Sequence, residues 1–348
     1  MLPLNFCTFE AERETIDAMF GVGLVIIGMA VVLLPVRWFL QRRMDNVALF
    51  AADVQPGAFN STWLAALFLA PTIIILALFL YYPALENFRL SVLLTRLGVP
   101  RTAFVCVDNF TRLVQDTEYI NTVLITFGIS IAIVIIGLVL ALLIATMAYQ
   151  PLKGAKIYRT LLIWPYAISP VVAGLIFLLL FNPTGGIVNY FLQGMFGFQI
   201  GWLNNPAAAP WAVIIASVWK SMGFNILFYI AGLQNVPKDL QESAAIDGAN
   251  ALQRFWKITI PLLSPITFFL IITNMTYAFF ETFGTIDYLT GGGPLNSTTT
   301  MMYRIYEVGV VNGDLGKAAA QSIVLFAMVI GLTVLQFRTT ERRVNYGA

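Results

Sequence analysis

Seven apolar runs, each long enough to cross a bilayer, constrain this chain more than any motif in it. They fall near Asp17–Val36, Trp63–Tyr82, Ile120–Ala148, Tyr158–Phe181, Trp211–Gly232, Leu262–Phe283 and Ala319–Phe337. About 20 apolar residues span the hydrocarbon core as a helix, and lipid obliges each spanning segment to satisfy its own backbone hydrogen bonds. The chain therefore reads as an all-α polytopic membrane protein. Its 59% hydrophobic and 11% charged residues place it outside the soluble globular range. The third run is long enough to tilt or to extend beyond the bilayer.

Basic residues set the orientation. Lys153, Lys156 and Arg159 flank one short loop, Lys238, Arg254 and Lys257 lie in another, and Arg338, Arg342 and Arg343 follow the last run. Counting spans puts all three groups on one face, the cytoplasm, and Arg37, Arg42 and Arg43 join them. The N-terminus, with Glu10, Glu12, Glu14 and Asp17, then lies outside and the C-terminus inside. An acidic front and no clear small-residue cleavage site favour a retained first helix over a signal peptide. The segment Asp45–Ser61, with Pro56 and Gly57, reads as a tether. NPTGG, NNP and TGGGP mark the outer loops as irregular ordered surface.

Several chemistries are excluded at once. The chain has no histidine, and Cys7 and Cys106 are its only cysteines, so His-based catalysis and Cys-type zinc clusters are ruled out. No GxxxxGK[ST] stretch is present to cradle nucleotide phosphates. A net charge of +2 gives no ground for a nucleic-acid partner. Both cysteines fall outside in this topology, where an oxidising compartment would let them pair.

ESAAIDGANALQRFWKITIP, Glu242 to Pro261, is too polar to span and too well patterned for a slack connector. Pro237 suits the start of a helix, and Gly248 suits the left-handed residue that ends it. Asn250 with Gln253 has the spacing of a capping box opening a second helix. That helix is expected to align Leu252, Phe255, Trp256 and Thr259 in one stripe and to stop at Pro261. Two readings fit: an amphipathic elbow on the membrane surface, or a docking element that fills a groove on a partner. The small residues Ala244, Ala245, Gly248 and Ala249 tilt the balance toward docking, because they let another backbone come close.

These residues resemble the "EAA" loop of permease subunits in binding-protein-dependent ABC importers, through Glu242, Ala244, Gly248, Ile258 and Pro261. Ser243 and Ile260 depart mildly from that pattern. WPYAISPVVAGLIFLLLFNP, SVWKSMGFNILFY and TYAFFETFGTIDYLTGGGP extend the likeness to the carbohydrate-type permeases, and in particular to the A-type permeases of sn-glycerol-3-phosphate importers. The resemblance implies a six-helix permease core over residues 63–348, with its coupling loop at 235–261. Residues 1–62 add one extra helix and a tether. It further implies a bacterial inner-membrane location, a second permease subunit and an extracytoplasmic solute-binding protein. A cytoplasmic P-loop ATPase dimer would carry ATP and Mg, with no cofactor on this chain. Glu242 would face a basic group on the ATPase, Gly248 would make the turn, and Phe255 and Trp256 would seat the second helix, with Ala244, Ala245, Asp247 and Pro261 in the same coupling loop.

Charged groups inside spans need a reason, since each costs about 2.5–3.5 kcal/mol at the bilayer centre. Lys220 lies in the fifth run beside Ser217, Ser221 and Asn225, and Asn274, Tyr277 and Glu281 form a polar stripe on the sixth. The two helices are expected to face each other across a wet path. Either Lys220 pairs with Glu281 and ties the helices together, or it presents a positive charge to a phosphate while Asn274 and Tyr277 bind hydroxyls. Trp164, Tyr166 and Ser169 read as packing and interface anchors, and Pro165 with Pro170 favours a locally broken helix. The expected solute is glycerol-3-phosphate or a glycerophosphodiester, with a neutral sugar as the alternative. An ion-coupled secondary transporter would show inverted repeats and buried carboxylates, and the sequence offers neither clearly.

Overall fold

The computed structural model describes residues 62–99, 102–149 and 154–340. The expected first helix, its tether, Cys7, Lys153 and the terminal Arg342 and Arg343 lie outside the described residues. Along the chain, α1 (Thr62–Leu76) runs through a π-turn into α2 (Tyr82–Ser91), followed by β1 (Leu93–Leu94) and β2 (Ala103–Phe104). Then come α3 (Asp108–Gln115), α4 (Thr117–Tyr149), α5 (Ala155–Ile163), α6 (Pro170–Leu180), α7 (Ile187–Phe196) and α8 (Ala209–Gln234). The hairpin region holds α9 (Lys238–Ile246), α10 (Ala251–Arg254) and α11 (Ile260–Leu262). Last are α12 (Ser264–Thr276), α13 (Thr282–Leu289), α14 (Met301–Tyr306) and α15 (Leu315–Thr340).

Among the described residues, five helical stretches are long and apolar enough to cross a membrane: Leu67–Ser91, Thr117–Tyr149, Ala209–Gln234, Ser264–Leu289 and Leu315–Arg338. The pair Ile157–Ala167 and Pro170–Leu180, bent by 101°, makes a sixth if it is counted as one broken span. The break falls where the prolines predict it. Pro165 sits in the short 3-10 turn Trp164–Ala167, and Ser169 caps α6 by accepting from the Val172 N–H at 3.3 Å. Two expected boundaries move. The span expected to end at Tyr82 continues to Ser91, because Pro83 falls in the first turn after a π-turn, where its missing N–H does no harm. The span expected to end at Phe283 continues to Leu289.

The described residues form two compact units. In the smaller, the strand segment after α2 is clamped to the loop before α15. The Leu97 N–H donates to the Gly313 carbonyl at 2.7 Å, and the Gly316 N–H to the Thr95 carbonyl at 3.2 Å. Asn109 donates to the Ser91 and Leu93 carbonyls from a buried position. Cys106, in this unit, is disulfide-bonded.

The larger unit, from Val114 to Tyr306 and from Val324 onward, is built on α4 packed along α8. Small residues permit the close approach that drives helix association in lipid, where hydrophobicity gives no advantage between helices. Ala141 and Ala145 on α4 and Ala212 and Ala216 on α8 are fully buried. The broken span docks by the same means. A β-carbon on Gly223 of α8 would lie 2.7 Å from the Ile163 carbonyl, and one on Gly174 of α6 would lie 2.9 Å from the Thr285 carbonyl of α13. Arg159 and Tyr158 both donate to the Ala148 carbonyl, which satisfies the open end of α4.

Candidate functional site

Two places in the larger unit concentrate polar groups that a membrane helix would otherwise avoid. The first is a seam between α8 and α12. Asn225 Nδ2 donates to Asn274 Oδ1 at 3.0 Å, and Asn274 Nδ2 donates back at 2.6 Å and also to the Leu270 carbonyl at 2.8 Å. Neither side chain is more than 3% exposed. One turn away, the Tyr277 hydroxyl donates to the Ser217 carbonyl at 3.4 Å, and Ser221 donates to the Val218 carbonyl at 3.3 Å. Ser217 Oγ is buried without a hydrogen-bond partner.

Lys220 is the one charged side chain among the described residues that is buried. Its ammonium lies 3.7 Å from Glu281, whose carboxylate is 61% exposed. Two rings flank it, Tyr277 at 4.9 Å and Tyr166 at 5.5 Å from Nζ to the centroid. A cation over an aromatic face is attracted by the ring quadrupole. Tyr166 was expected to act as an interface anchor, and the bend in the broken span is what carries it to the lysine. Lys220, Ser221, Asn225, Asn274, Tyr277 and Glu281 are thus brought together. Asn225 meets Asn274 and Lys220 meets Glu281 directly, not across the wet gap that the sequence suggested, while Ser221 bonds within α8. A π-turn over Tyr277–Glu281 adds a residue to the turn, which takes Glu281 out of the row of Asn274 and keeps it beside Tyr277 at the lysine.

Asn225→Leu is expected to destabilise the subunit by about 1 kcal/mol, because the Asn274 carbonyl oxygen loses its donor inside the bundle. Asn225→Leu with Asn274→Leu should lose less than the two single effects summed. Thermal unfolding of the purified complex in detergent reads both, and strict additivity would show that the two amides do not interact.

The second place is the hairpin after α8. Pro237 is the N-cap of α9. Gly248 has φ +83°, and the Gly248 and Ala249 N–H groups donate to the Ala245 and Ala244 carbonyls at 3.1 and 2.9 Å. This is the expected left-handed helix end. Asn250 and Gln253 form the reciprocal capping box at 2.8 and 2.9 Å. The second helix departs from expectation. A π-turn over Phe255–Thr259 breaks the stripe, so Thr259 is buried and accepts from Gln241 at 3.0 Å while Trp256 points out. Pro261 does not stop the helix; it sits in α11, which runs on into α12 with little interruption. Glu242, Ala245 and Asp247 are exposed, and Ala244 is half-buried. Ile246 at 87%, Leu252 at 66% and Trp256 at 62% exposure give the hairpin an apolar outer surface. Phe255 turns inward instead, onto a cavity of about 330 Å³ that it lines with Tyr149, Lys238 and Arg254.

A bundle of membrane-crossing helices with one span broken at prolines, a charge held inside it and a capped hairpin outside it suits a solute permease. A family profile described as "Binding-protein-dependent transport system inner membrane component" matches residues 137–340. The sn-glycerol-3-phosphate transport system permease protein UgpA of Rhizobium meliloti (strain 1021) is 43% identical over 294 residues, 84% of this chain and 100% of that protein. Its namesake from Yersinia enterocolitica is 44% identical over 293 residues, 84% of this chain and 98% of that protein. A chain of a bacterial alginate ABC transporter, solved in complex with an alginate pentasaccharide-bound periplasmic protein, shares the fold. Its TM-score is 0.72 at 24% identity, with 82% of this chain and 96% of that chain covered. The chain belongs to the binding-protein-dependent transport system inner membrane component family. It is a multi-pass inner-membrane permease subunit of an ABC importer.

Proposed function

We propose that this permease passes sn-glycerol-3-phosphate, or a glycerophosphodiester, through a path shared with a second permease subunit. The observation that carries the reading is the 43 and 44% identity to sn-glycerol-3-phosphate permeases across nearly their whole length. The hairpin docks in a cleft of a cytoplasmic ATPase dimer, which binds ATP and Mg. Glu242 meets a basic group there, Gly248 turns the chain, and Ile246, Leu252 and Trp256 supply the apolar contact. The hairpin end of the bundle and the C-terminus then face the cytoplasm, and the N-terminus lies outside, in keeping with the basic residues on that side.

At the opposite end, the segment after α13 suits a solute-binding protein. Thr298 and Thr299 lock it through hydrogen bonds to the Gly293 and Gly292 carbonyls, and Leu295 stands 89% exposed at its tip. A preformed knob of this kind loses little conformational freedom on docking.

The reading is tested on the complete importer in liposomes. Addition of binding protein with sn-glycerol-3-phosphate is expected to raise ATP hydrolysis several-fold, and maltotriose is expected to leave it at the basal rate. The reverse preference would overturn the substrate and leave the permease class intact.

A further inference from the structure

From Thr160 to Trp219 the chain contains no Asp, Glu, Lys or Arg. Part of that stretch is no membrane span. It leaves α6 at Phe181 and enters α8 at Ala209, at the end of the bundle opposite the hairpin, and between them lies α7. Asn189 fixes the rotation of this helix. It is 4% exposed, donates to the Ile200 carbonyl at 2.9 Å and accepts from the Ile200 N–H at 3.2 Å. With its asparagine latched inward, α7 turns out Tyr190, Phe191, Met195 and Phe196, at 59–75% exposure. A water-facing amphipathic helix has the opposite arrangement.

We infer that α7 is an interfacial helix that lies in the lipid headgroup layer, with Tyr190, Phe191, Met195 and Phe196 immersed toward the acyl chains. Position supports this, since α7 starts shortly after a membrane span ends, and Leu179 on that span is itself 72% exposed. Apolar side chains thus stand outward on the adjoining span as well as on α7. Aromatic side chains are enriched at this depth. Protein interfaces usually carry a polar rim, and for one this segment offers only neutral side chains such as Gln193 and Asn204. Solvated surface at the same end of this unit does carry charge: Glu118 is 68% exposed and pairs with Arg304 at 3.1 Å. Helices that bind membranes from water use basic residues to find them. This one needs none, because the spans on either side already hold it at the right depth. The lipid contact pins one end of the broken span.

The test uses the assembled importer in lipid nanodiscs, with a nitroxide label at Tyr190→Cys and separately at Met195→Cys, and Glu118→Cys as the reference. Unmutated complex treated with the label gives the background. Collision with oxygen, relative to a water-soluble nickel chelate, is expected to be several-fold higher at both α7 sites than at the reference. A ratio equal to the reference at both sites would put α7 in water and overturn the inference. Slow collision with both reagents would show a protein cover and overturn it equally. The second site keeps the test decisive if one variant fails to assemble.

Discussion

Gly248→Asp is expected to reduce uptake to background while the subunit still reaches the membrane in near-normal amount. The glycine holds φ +83°, where a side chain costs roughly 1 kcal/mol or somewhat more, and Asp and Asn tolerate this region better than other residues. Nothing lies within 4 Å of a β-carbon placed there, so the new side chain meets open space in the subunit alone. The capping box at Asn250 and Gln253 is independent of that position and should keep the second helix in place. Damage must then arise where the tip meets a partner, through a second carboxylate beside exposed Asp247 and through bulk at the closest approach. Gly248→Asn separates these two causes, since it has nearly the same size and backbone tolerance without the charge. Glu242→Lys should give the same loss by reversing a charge on the exposed face of α9. Membrane content by immunoblot and uptake of labelled solute are the two measurements. Normal uptake by both Gly248→Asp and Glu242→Lys would remove the hairpin from coupling.

What the sequence could reveal follows from the kind of signal involved. Span positions were legible because lipid requires long apolar runs, and the broken span because Pro165 and Pro170 each remove a donor. The hairpin's turn was legible because Gly248, Asn250 and Gln253 act on neighbours in the chain. The π-turns at Phe255–Thr259 and Tyr277–Glu281 were not, since each is an extra residue in a helix whose composition looks ordinary. A count at 3.6 residues per turn then aligns side chains that the π-turn separates. It put Glu281 in one row with Asn274, and Trp256 in one row with Thr259. The contact of Tyr166 with Lys220 was hidden for a different reason. It depends on a 101° bend that brings together residues from two spans, and no local pattern gives the angle of such a bend. Helix α7 was masked by the glycines on either side, Gly185, Gly186 and Gly197, which read as loop.

Lys220→Met is expected to lower uptake of sn-glycerol-3-phosphate at least ten-fold in a subunit that still assembles. Methionine keeps the unbranched apolar stem and removes only the charge. On folding grounds the change should be tolerated, because the Glu281 carboxylate it leaves behind is mostly in solvent and not stranded as a buried charge. The partner here is a weak reason to retain the charge: Glu281 stands 3.7 Å away with most of its carboxylate in contact with solvent. The flanking rings of Tyr166 and Tyr277 contribute about 1 kcal/mol each. Against these stands the cost of an ammonium within a span, about 2.5–3.5 kcal/mol at the centre. An anionic solute would supply a further counter-charge when the path opens, on the side of Lys220 that the solvent-exposed Glu281 leaves uncommitted. Each ten-fold loss in uptake corresponds to about 1.4 kcal/mol of lost interaction, which one charge-assisted hydrogen bond to a phosphate can provide. A structural tie predicts a different pattern. Glu281→Gln alone would then be harmful, and Lys220→Met with Glu281→Gln would recover wild-type uptake, because no charge would be left without its partner. A charge that serves the solute leaves the double variant as defective as Lys220→Met. Uptake by the two single variants and the double variant, normalised to membrane content, decides between them, and recovery in the double variant would assign Lys220 to helix packing.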